Sequence, residues 1–352
     1  MTDWTKSMTR TFEYYTVDPG TWCDVKRLTT VKSCSITRDI TTETLGSASI
    51  DADELIDECY VRVYLITIQN GVRDKYPLGT YLVQTPSQTY DGRVMSGSID
   101  AYTPLIELKE KQPPLGYSIL KGANIMENAY LICRENMRAP VVKVDSDTTL
   151  YSDFVSNTDD TWTTFISDLV ANDNYELDLD ERGRLLFAPK QDISSLQPVW
   201  TYTDDNSSIL QPEISLDRDL YGIPNVVEVI YSDANEYYTV RVVNDDPNSA
   251  TSTVARGREI PYRDTSPSIL GDPSEKQIEQ YAQQLLKSLS SVEYTLKYKH
   301  GYCPVRVRDC VRLNYKRSGI YGVKAKVQSQ SISCDSECQV TETAVFTVNY
   351  WG

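Results

Sequence analysis

The 352-residue sequence has a single histidine, His300, and only five phenylalanines. One histidine argues against histidine-rich metal centres and makes any serine or cysteine protease triad depend on His300. Long apolar runs are missing too, because no segment approaches the roughly 18 apolar residues of a membrane-spanning helix. The stretch from Met1 to Lys6 has no apolar run behind a basic start. We therefore expect no membrane anchor and no signal peptide, with synthesis in a cytoplasm.

Basic residues are scarce: 35 Lys and Arg stand against 50 Asp and Glu, a formal net charge of −15. Such a charge argues against wrapping around nucleic acid and against docking to an anionic bilayer. Short catalytic motifs are also missing, since the sequence contains no glycine-rich phosphate loop, G-x-S-x-G, H-E-x-x-H or Walker pattern. We predict a protein that is not an enzyme, with no catalytic residues, no metal site and no cofactor.

The eight cysteines are expected to be mostly reduced, buried thiols, because the chain is long and has no secretion signal. Cys334 and Cys338 bracket a predicted hairpin tip, whereas Cys303 and Cys310 are predicted strand residues. Together the four could supply thiolates for a structural zinc, but their gaps do not match the usual C-x2-C pairs. A labile disulfide across the tip is a further alternative.

His300 and Cys303 invite comparison with a nucleophile–base pair. They lie in the sequence His-Gly-Tyr-Cys-Pro, which is typical of a turn between two strands. We therefore predict a solvent-exposed turn histidine.

Acidic residues cluster in the tract 172–181, NDNYELDLDE, and such a cluster could be a calcium-binding site. The tract lacks the glycine and the spaced glutamate of a calcium loop, and its tyrosine and leucines alternate with polar residues. It is therefore predicted to be a strand with a polar face. Asp145 and Asp147 form a loop pair with no other ligand in register.

Tyrosine, by contrast, is abundant, with 25 residues. This residue type favours the pleated surfaces of β-sheets and protein interfaces. Residues 1–104 have β character. The run Cys59–Ile68 is strand-like, Asn70-Gly71 after it is a strong hairpin signal, and Asp91-Gly92 marks a second turn.

The middle of the chain changes to helical spacing. Ile125, Ala129, Ile132 and Cys133 form the stripe of one helix face. A second helix is predicted after Thr158-Asp159-Asp160, which offer N-cap oxygens. Strands on either side of Glu181-Arg182-Gly183 then predict a β-hairpin, so this part is an α+β unit.

After Pro224 the chain returns to strands, 225–231 and 237–243, followed by a polar stretch, 244–267, without a regular period. A helix is predicted next, with Asp272 as N-cap, Pro273 at the first helical position and Glu275 closing a capping box. Period-two alternation then predicts antiparallel strands with one wet face or a barrel interior.

Four stretches in this order carry a family resemblance. The first is 76–83 with 97–106, and the second is the helix and hairpin of 161–189. The third is 224–230 with 242–247 and 256–258. The fourth is the helix 274–291, the strand from Val292, and 304–313. In this combination the chain resembles the baseplate or tail hub proteins of tailed bacteriophages, which are related to the base of the type VI secretion spike. One position departs from the family pattern: the family often has Gly-Asp where this chain has Arg308-Asp309.

The resemblance implies a mainly β (α+β) fold with two tail-tube-like antiparallel β-barrels and inserted α+β subdomains. The first barrel is expected at 1–104, the α+β insert at 105–210, and the second barrel at 211–245 with 292–352, interrupted by an inserted loop and helix at 246–291.

It also implies a non-enzymatic role as a homotrimeric ring in the virion tail, assembled in the host cytoplasm. The ring would join the sixfold tail tube, or a distal tail protein, above to a threefold spike, fibre or tail-tip protein below. Its bore would hold the tape-measure protein and then pass DNA without specific binding. The alternatives are a tail-associated cell-wall hydrolase, a receptor- or carbohydrate-binding tail protein, and another ring protein of the same tail with six copies.

Overall fold

The computed structural model describes residues 2–54, 56–90, 92, 95–205, 208–218, 220–232, 237–267 and 274–350. The fold is mainly β, as predicted, with few helices. The strands are β1 Thr9–Val17, β2 Asp24–Leu28, β3 Val31–Asp39, β4 Gly46–Ala52, β5 Tyr60–Gln69, β6 Val72–Tyr90, β7 Met95–Tyr102, β8 Ser118–Ile119, β9 Phe154–Val155, β10 Tyr175–Leu179, β11 Leu185–Pro189, β12 Trp200–Thr203, β13 Leu210–Arg218, β14 Val226–Ser232, β15 Tyr237–Val243, β16 Pro261–Asp264, β17 Ser291–Gly301, β18 Cys310–Tyr315, β19 Ile320–Ser333 and β20 Gln339–Asn349. The helices are α1 Ile106–Lys109, α2 Ile125–Asn136, α3 Trp162–Ala171, α4 Thr253–Arg256 and α5 Glu275–Leu289.

The chain divides into two compact units, 1–214 with 297–344 and 215–296 with 345–352. In the first unit the main sheet has the order β20-β19-β3-β4-β7-β6-β5-β1-β2. Over the described residues this order is an open path, so closure into barrels remains a prediction. Within the same residues, no helix is both long and apolar enough to cross a lipid bilayer.

The hairpin predicted at Asn70-Gly71 is confirmed. Strands β5 and β6 pair from Gln69↔Val72 onwards, and both turn residues have positive φ, 52° and 80°. This is the geometry that a two-residue hairpin turn requires, and asparagine and glycine adopt it most readily. Of the second predicted turn, Asp91 lies outside the described residues.

The α+β unit is confirmed in its order of helix, helix and hairpin. The predicted stripe of α2 is buried, and α2 packs with α3 and the hairpin in one apolar core. The predicted cap of α3 was wrong: Thr161, rather than 158–160, is the N-cap, and its side chain accepts a hydrogen bond from the Thr164 backbone. Thr164 completes a capping box, because its side chain accepts a hydrogen bond from the Thr161 backbone.

In the second unit, α5 covers one face of the sheet β15-β14-β16. Ile278, Ala282 and Leu286 are the buried face of the helix, and the partly buried Tyr281, Leu285 and Leu289 pack beside them. The helix begins at Glu275 with Ser274 as its N-cap, and the Gln277 side chain accepts a hydrogen bond from the Ser274 backbone. The predicted start was therefore wrong, while Asp272 and Pro273 lie outside the described residues.

Two of the described strand pairs, β12–β18 and β14–β16, are parallel, and the sequence analysis predicted neither pair. A parallel pair needs a long crossover, and the polar stretch after β15 supplies it for β16 and also contains α4. Within the described residues, β14, β15 and β16 form a three-stranded sheet.

Candidate functional site

His300 is completely buried, so the predicted exposed turn histidine was wrong. Strand β17 continues to Gly301, and its inward positions Tyr298 and His300 extend the alternation that begins at Val292. Because side chains two residues apart share one face of a strand, His300 points into the core. The alternation itself was the signal in the sequence that could have placed it there.

Both ring nitrogens of His300 face hydrogen-bond acceptors. Nδ1 lies 2.7 Å from the carbonyl oxygen of Gly301, and Nε2 lies 3.1 Å from the Tyr202 hydroxyl and 3.3 Å from Oε2 of Glu342. Burial lowers the pKa of His300, but the hydrogen bonds to Cys303 and Glu342 and their charges outweigh burial and raise the pKa to about 10. The ring is therefore an imidazolium, paired with a fully buried carboxylate.

Two further side chains, Tyr298 and Gln330, complete this arrangement. We call it the His300 cluster, and its members are His300, Glu342, Tyr298, Tyr202, Gln330 and Cys303. Tyr298 donates to Oε1 of Glu342, and Gln330 Nε2 donates to Oε2 at 2.7 Å. The Gln330 carbonyl oxygen in turn accepts from Arg38 at 3.1 Å. Buried charges are tolerated when each has such partners, and the partners around His300 and Glu342 connect three strands of the sheet.

The Cys303 thiol does not form a nucleophile–base pair with His300. Its Sγ lies 3.9 Å from Nδ1, but that nitrogen is engaged with the Gly301 carbonyl. The thiol contacts the Tyr202 hydroxyl at 3.4 Å and is 1% exposed. A nucleophile needs both a free base and access to substrate, and Cys303 has neither.

The other cysteines singled out in the sequence do not gather at one place. All eight are free thiols, and Cys310, Cys334 and Cys338 are buried like Cys303. In the part of the chain that the structure describes, no three histidine, cysteine, aspartate or glutamate side chains are grouped so that they could hold a metal ion. Over those described residues, no such group contains the four cysteines of the zinc alternative, the acidic tract of the calcium alternative, or Asp145 and Asp147.

The acidic tract forms strand β10, and its carboxylates pair with cations instead of a metal ion. Nε of Arg306 lies 2.6 Å from Glu181, and the guanidinium of Arg308 lies 3.3 Å from Glu176 and 3.7 Å from Asp178. Burial raises the pKa of Asp178, and the charges of both arginines oppose that rise. The sequence did not reveal these pairs, because the partners are about 130 residues apart.

Arg308, the residue that departs from the family pattern, has a left-handed backbone with φ of 74°. Glycine adopts this conformation without strain, whereas an arginine does so at a cost. Here the Arg308 side chain donates to the carbonyl oxygen of Leu177, and Arg306 donates to that of Leu179 at 2.6 Å. Both arginines therefore bind the backbone of β10 as well as its carboxylates.

The turn of the same hairpin contacts the N-terminal strands. Nε1 of Trp22 donates to the Arg182 carbonyl at 2.8 Å, and Arg62 donates to the same oxygen at 3.3 Å. Gly183 has φ of 73°, and a Cβ there would lie 2.8 Å from Cβ of Thr80. We call this set of contacts around 175–189 the hairpin junction. It joins the α+β unit to residues from both the N-terminal and the C-terminal part of the chain.

Comparison with solved structures places this architecture among known proteins. The chain matches a tail protein from Neisseria meningitidis at a TM-score of 0.62 and 12% identity over 96% of each chain. It matches a 43 kDa tail protein of a Shewanella oneidensis prophage at 0.60 and 11%, over 97% of this chain and 98% of that one.

A third match is a chain of the Francisella PdpA–VgrG complex, at a TM-score of 0.55 and 8% identity, over 98% of this chain and 53% of that one. No protein-family model and no curated protein sequence matches the chain. The expected resemblance is confirmed at the level of fold: over nearly its whole length, the chain has the fold of the two tail proteins, and it shares this fold with about half of the chain matched in the PdpA–VgrG complex.

Proposed function

We propose that this protein is a structural hub of a phage tail or phage-tail-like particle. Three copies form a ring that joins the sixfold tail tube to the threefold tail tip and lines the channel through which DNA passes. The observation that carries the proposal is the fold, which this chain shares with two tail proteins over 96% or more of both chains. A shared fold along the entire length is what a common structural role predicts, although one fold can serve several functions.

The net charge of −15 supports the same role. A channel that DNA must traverse works best when its wall repels phosphates, because basic side chains would bind them. The described polar clusters support it too. In the His300 cluster and the hairpin junction, ionisable groups bind one another and hold strands together, which suits a scaffold more than a catalyst.

The partners follow from this proposal. The homotrimer would contact a tube or distal tail protein above, and a spike, fibre or tail-tip protein below, with the tape-measure protein in its bore. Residues 1–104 would supply one barrel and the strands after 291 the core of the other, with 105–210 on the outside. The protein would reside in the virion tail and act without catalysing a reaction.

The test is the number of copies per particle together with the mass of the isolated protein. Light scattering of the purified chain should give three times the 39.9 kDa of one chain, with rings in two-dimensional class averages. If trimers form only on tail partners, quantitative mass spectrometry of purified particles should still give three copies per tail. Six copies, a single copy, or absence from the particle would overturn the proposal.

A further inference from the structure

Cys34 and Cys334 lie directly opposite each other on neighbouring strands. Strands β3 and β19 are antiparallel, with Ser35 paired to Ser333, so the next position in register pairs the two cysteines. The backbone N–H of Cys334 donates to the carbonyl oxygen of Cys34 at 2.9 Å. This is a hydrogen-bonded cross-strand pair, in which Cα atoms are about 5.5 Å apart. That separation is within the range of about 4.4 to 6.8 Å found in disulfides.

Both thiols are buried and point to the same face of the sheet, as opposite residues must. A side-chain hydrogen bond to Cys34, followed by burial, raises the pKa of Cys334. Tyr14 packs beside the pair: burial, followed by the proximity of Cys34 and Cys334, raises the pKa of its hydroxyl. In such surroundings a thiolate is unfavourable, whereas a disulfide is neutral and has no donor left to satisfy.

We infer that Cys34 and Cys334 are a modification site: they form a disulfide when the protein meets a small-molecule disulfide oxidant, and a thiol reductant opens it again. One protein thiolate attacks a sulfur of the oxidant and releases one small thiol. The second protein thiolate then attacks the mixed disulfide and releases the other small thiol. Two protein thiols lose two protons and two electrons, and the oxidant becomes two thiols.

The bond would link positions 300 residues apart, at the joint between the N-terminal strands and the C-terminal strands. It would form slowly, because both thiols are buried and must become exposed by local opening before the oxidant reaches them. The two cysteines would therefore stay reduced in a reducing cytoplasm, and the disulfide would form only in an oxidising environment outside it. This inference does not depend on the proposed hub function.

The test equilibrates the folded protein at pH 8.5 with oxidised and reduced glutathione, blocks free thiols in denaturant, and maps peptides without reduction. We expect a peptide pair that joins Cys34 to Cys334, a mass loss of two hydrogens, and a higher urea midpoint that reductant reverses. Glutathione adducts at Cys23, the exposed cysteine, are counted separately. Mapping the unmodified chain requires no variant to fold.

Cys338 provides the matched control, because it is also a buried cysteine and lies only four residues from Cys334 in the sequence. Cys338→Ser should keep the link and the shift of the urea midpoint, whereas Cys34→Ser should lose both. A link between Cys334 and Cys338, adducts without any link, or free thiols at both positions after equilibration would overturn the inference.

Discussion

Arg308 donates a hydrogen bond to the main-chain carbonyl oxygen of Leu177 at 2.5 Å, from a backbone that lies in the left-handed region. A non-glycine residue in this region costs about 1 kcal/mol or more. The side chain offsets that cost through its contacts with β10 and with the carboxylates of Glu176 and Asp178. Strain and stabilisation at Arg308 can therefore be separated by two substitutions.

Arg308→Ala should lower the free energy of unfolding by about 2 to 3 kcal/mol, because it removes the side-chain contacts and keeps the strain. Arg308→Gly removes the same contacts but relieves the strain, so its loss should be smaller by about 1 kcal/mol. Urea unfolding of both variants measures the difference. Equal losses would show that the backbone at this position is not strained.

Gly183→Ala tests the close approach of the hairpin turn to Thr80. Both backbone strain and a contact of 2.8 Å between Cβ atoms oppose the added methyl group, so we expect a loss of about 2 to 3 kcal/mol. Gly319→Ala is the matched control: its φ of 79° is similar, but nothing lies within 4 Å of the added Cβ. Gly319→Ala should cost only about 1 kcal/mol. If both variants lose the same stability, the turn has room to move away from Thr80.

The pKa of His300, raised to about 10, predicts a pH dependence of stability. Its ordinary value is about 6.5. The stabilisation is fully present below pH 6.5 and is lost as the pH rises towards 10, since the unfolded chain releases the proton first. Between pH 6.5 and 8, before thiols and tyrosines titrate, the free energy of unfolding should fall by about 1 kcal/mol per pH unit.

His300→Gln is the control for this measurement, because His300 is the single histidine of the chain. Urea unfolding of the variant should show a much flatter dependence over the same range. Parallel curves for the two proteins would mean that His300 is not protonated in the folded state.

Glu342→Leu should lower the free energy of unfolding by about 3 to 5 kcal/mol, because it leaves the buried imidazolium of His300 without its counter-ion. The double variant Glu342→Leu with His300→Leu removes both charges and should be more stable than Glu342→Leu alone. Denaturant unfolding of Glu342→Leu, His300→Leu and the double variant completes the cycle. Additive losses would indicate that the two side chains do not interact.

Elements whose signals are local could be predicted from the sequence. The stripe of α2 and the Asn70-Gly71 turn depend on residues within one helix or one hairpin. The cap of α3 was less certain, because four consecutive residues, Thr158 to Thr161, can all cap a helix and the choice depends on Thr164. The position of His300 was missed, because the Gly and Pro after it outweighed the strand alternation before it.

The contacts that hold the candidate site together could not be predicted in this way. Arg306 and Arg308 meet β10 across about 130 residues of sequence, and Gln330 joins Glu342 to Arg38 across the sheet. Such contacts depend on the order of strands in the sheet, which period-two alternation does not specify. The parallel pairs β12–β18 and β14–β16 were missed for the same reason.

The pairing of β3 with β19 has a consequence for synthesis. Asp39 of β3 pairs with Ser329 of β19, which leaves the ribosome about 290 residues later. One edge of β3 therefore stays unpaired until β19 has been synthesised. At about 5 to 20 residues per second, that delay is roughly 15 to 60 s. During this time the nascent chain exposes an unpaired strand edge, and such edges invite aggregation. The yield of the protein should therefore depend on translation speed and on chaperones that cover the N-terminal strands until the C-terminus arrives.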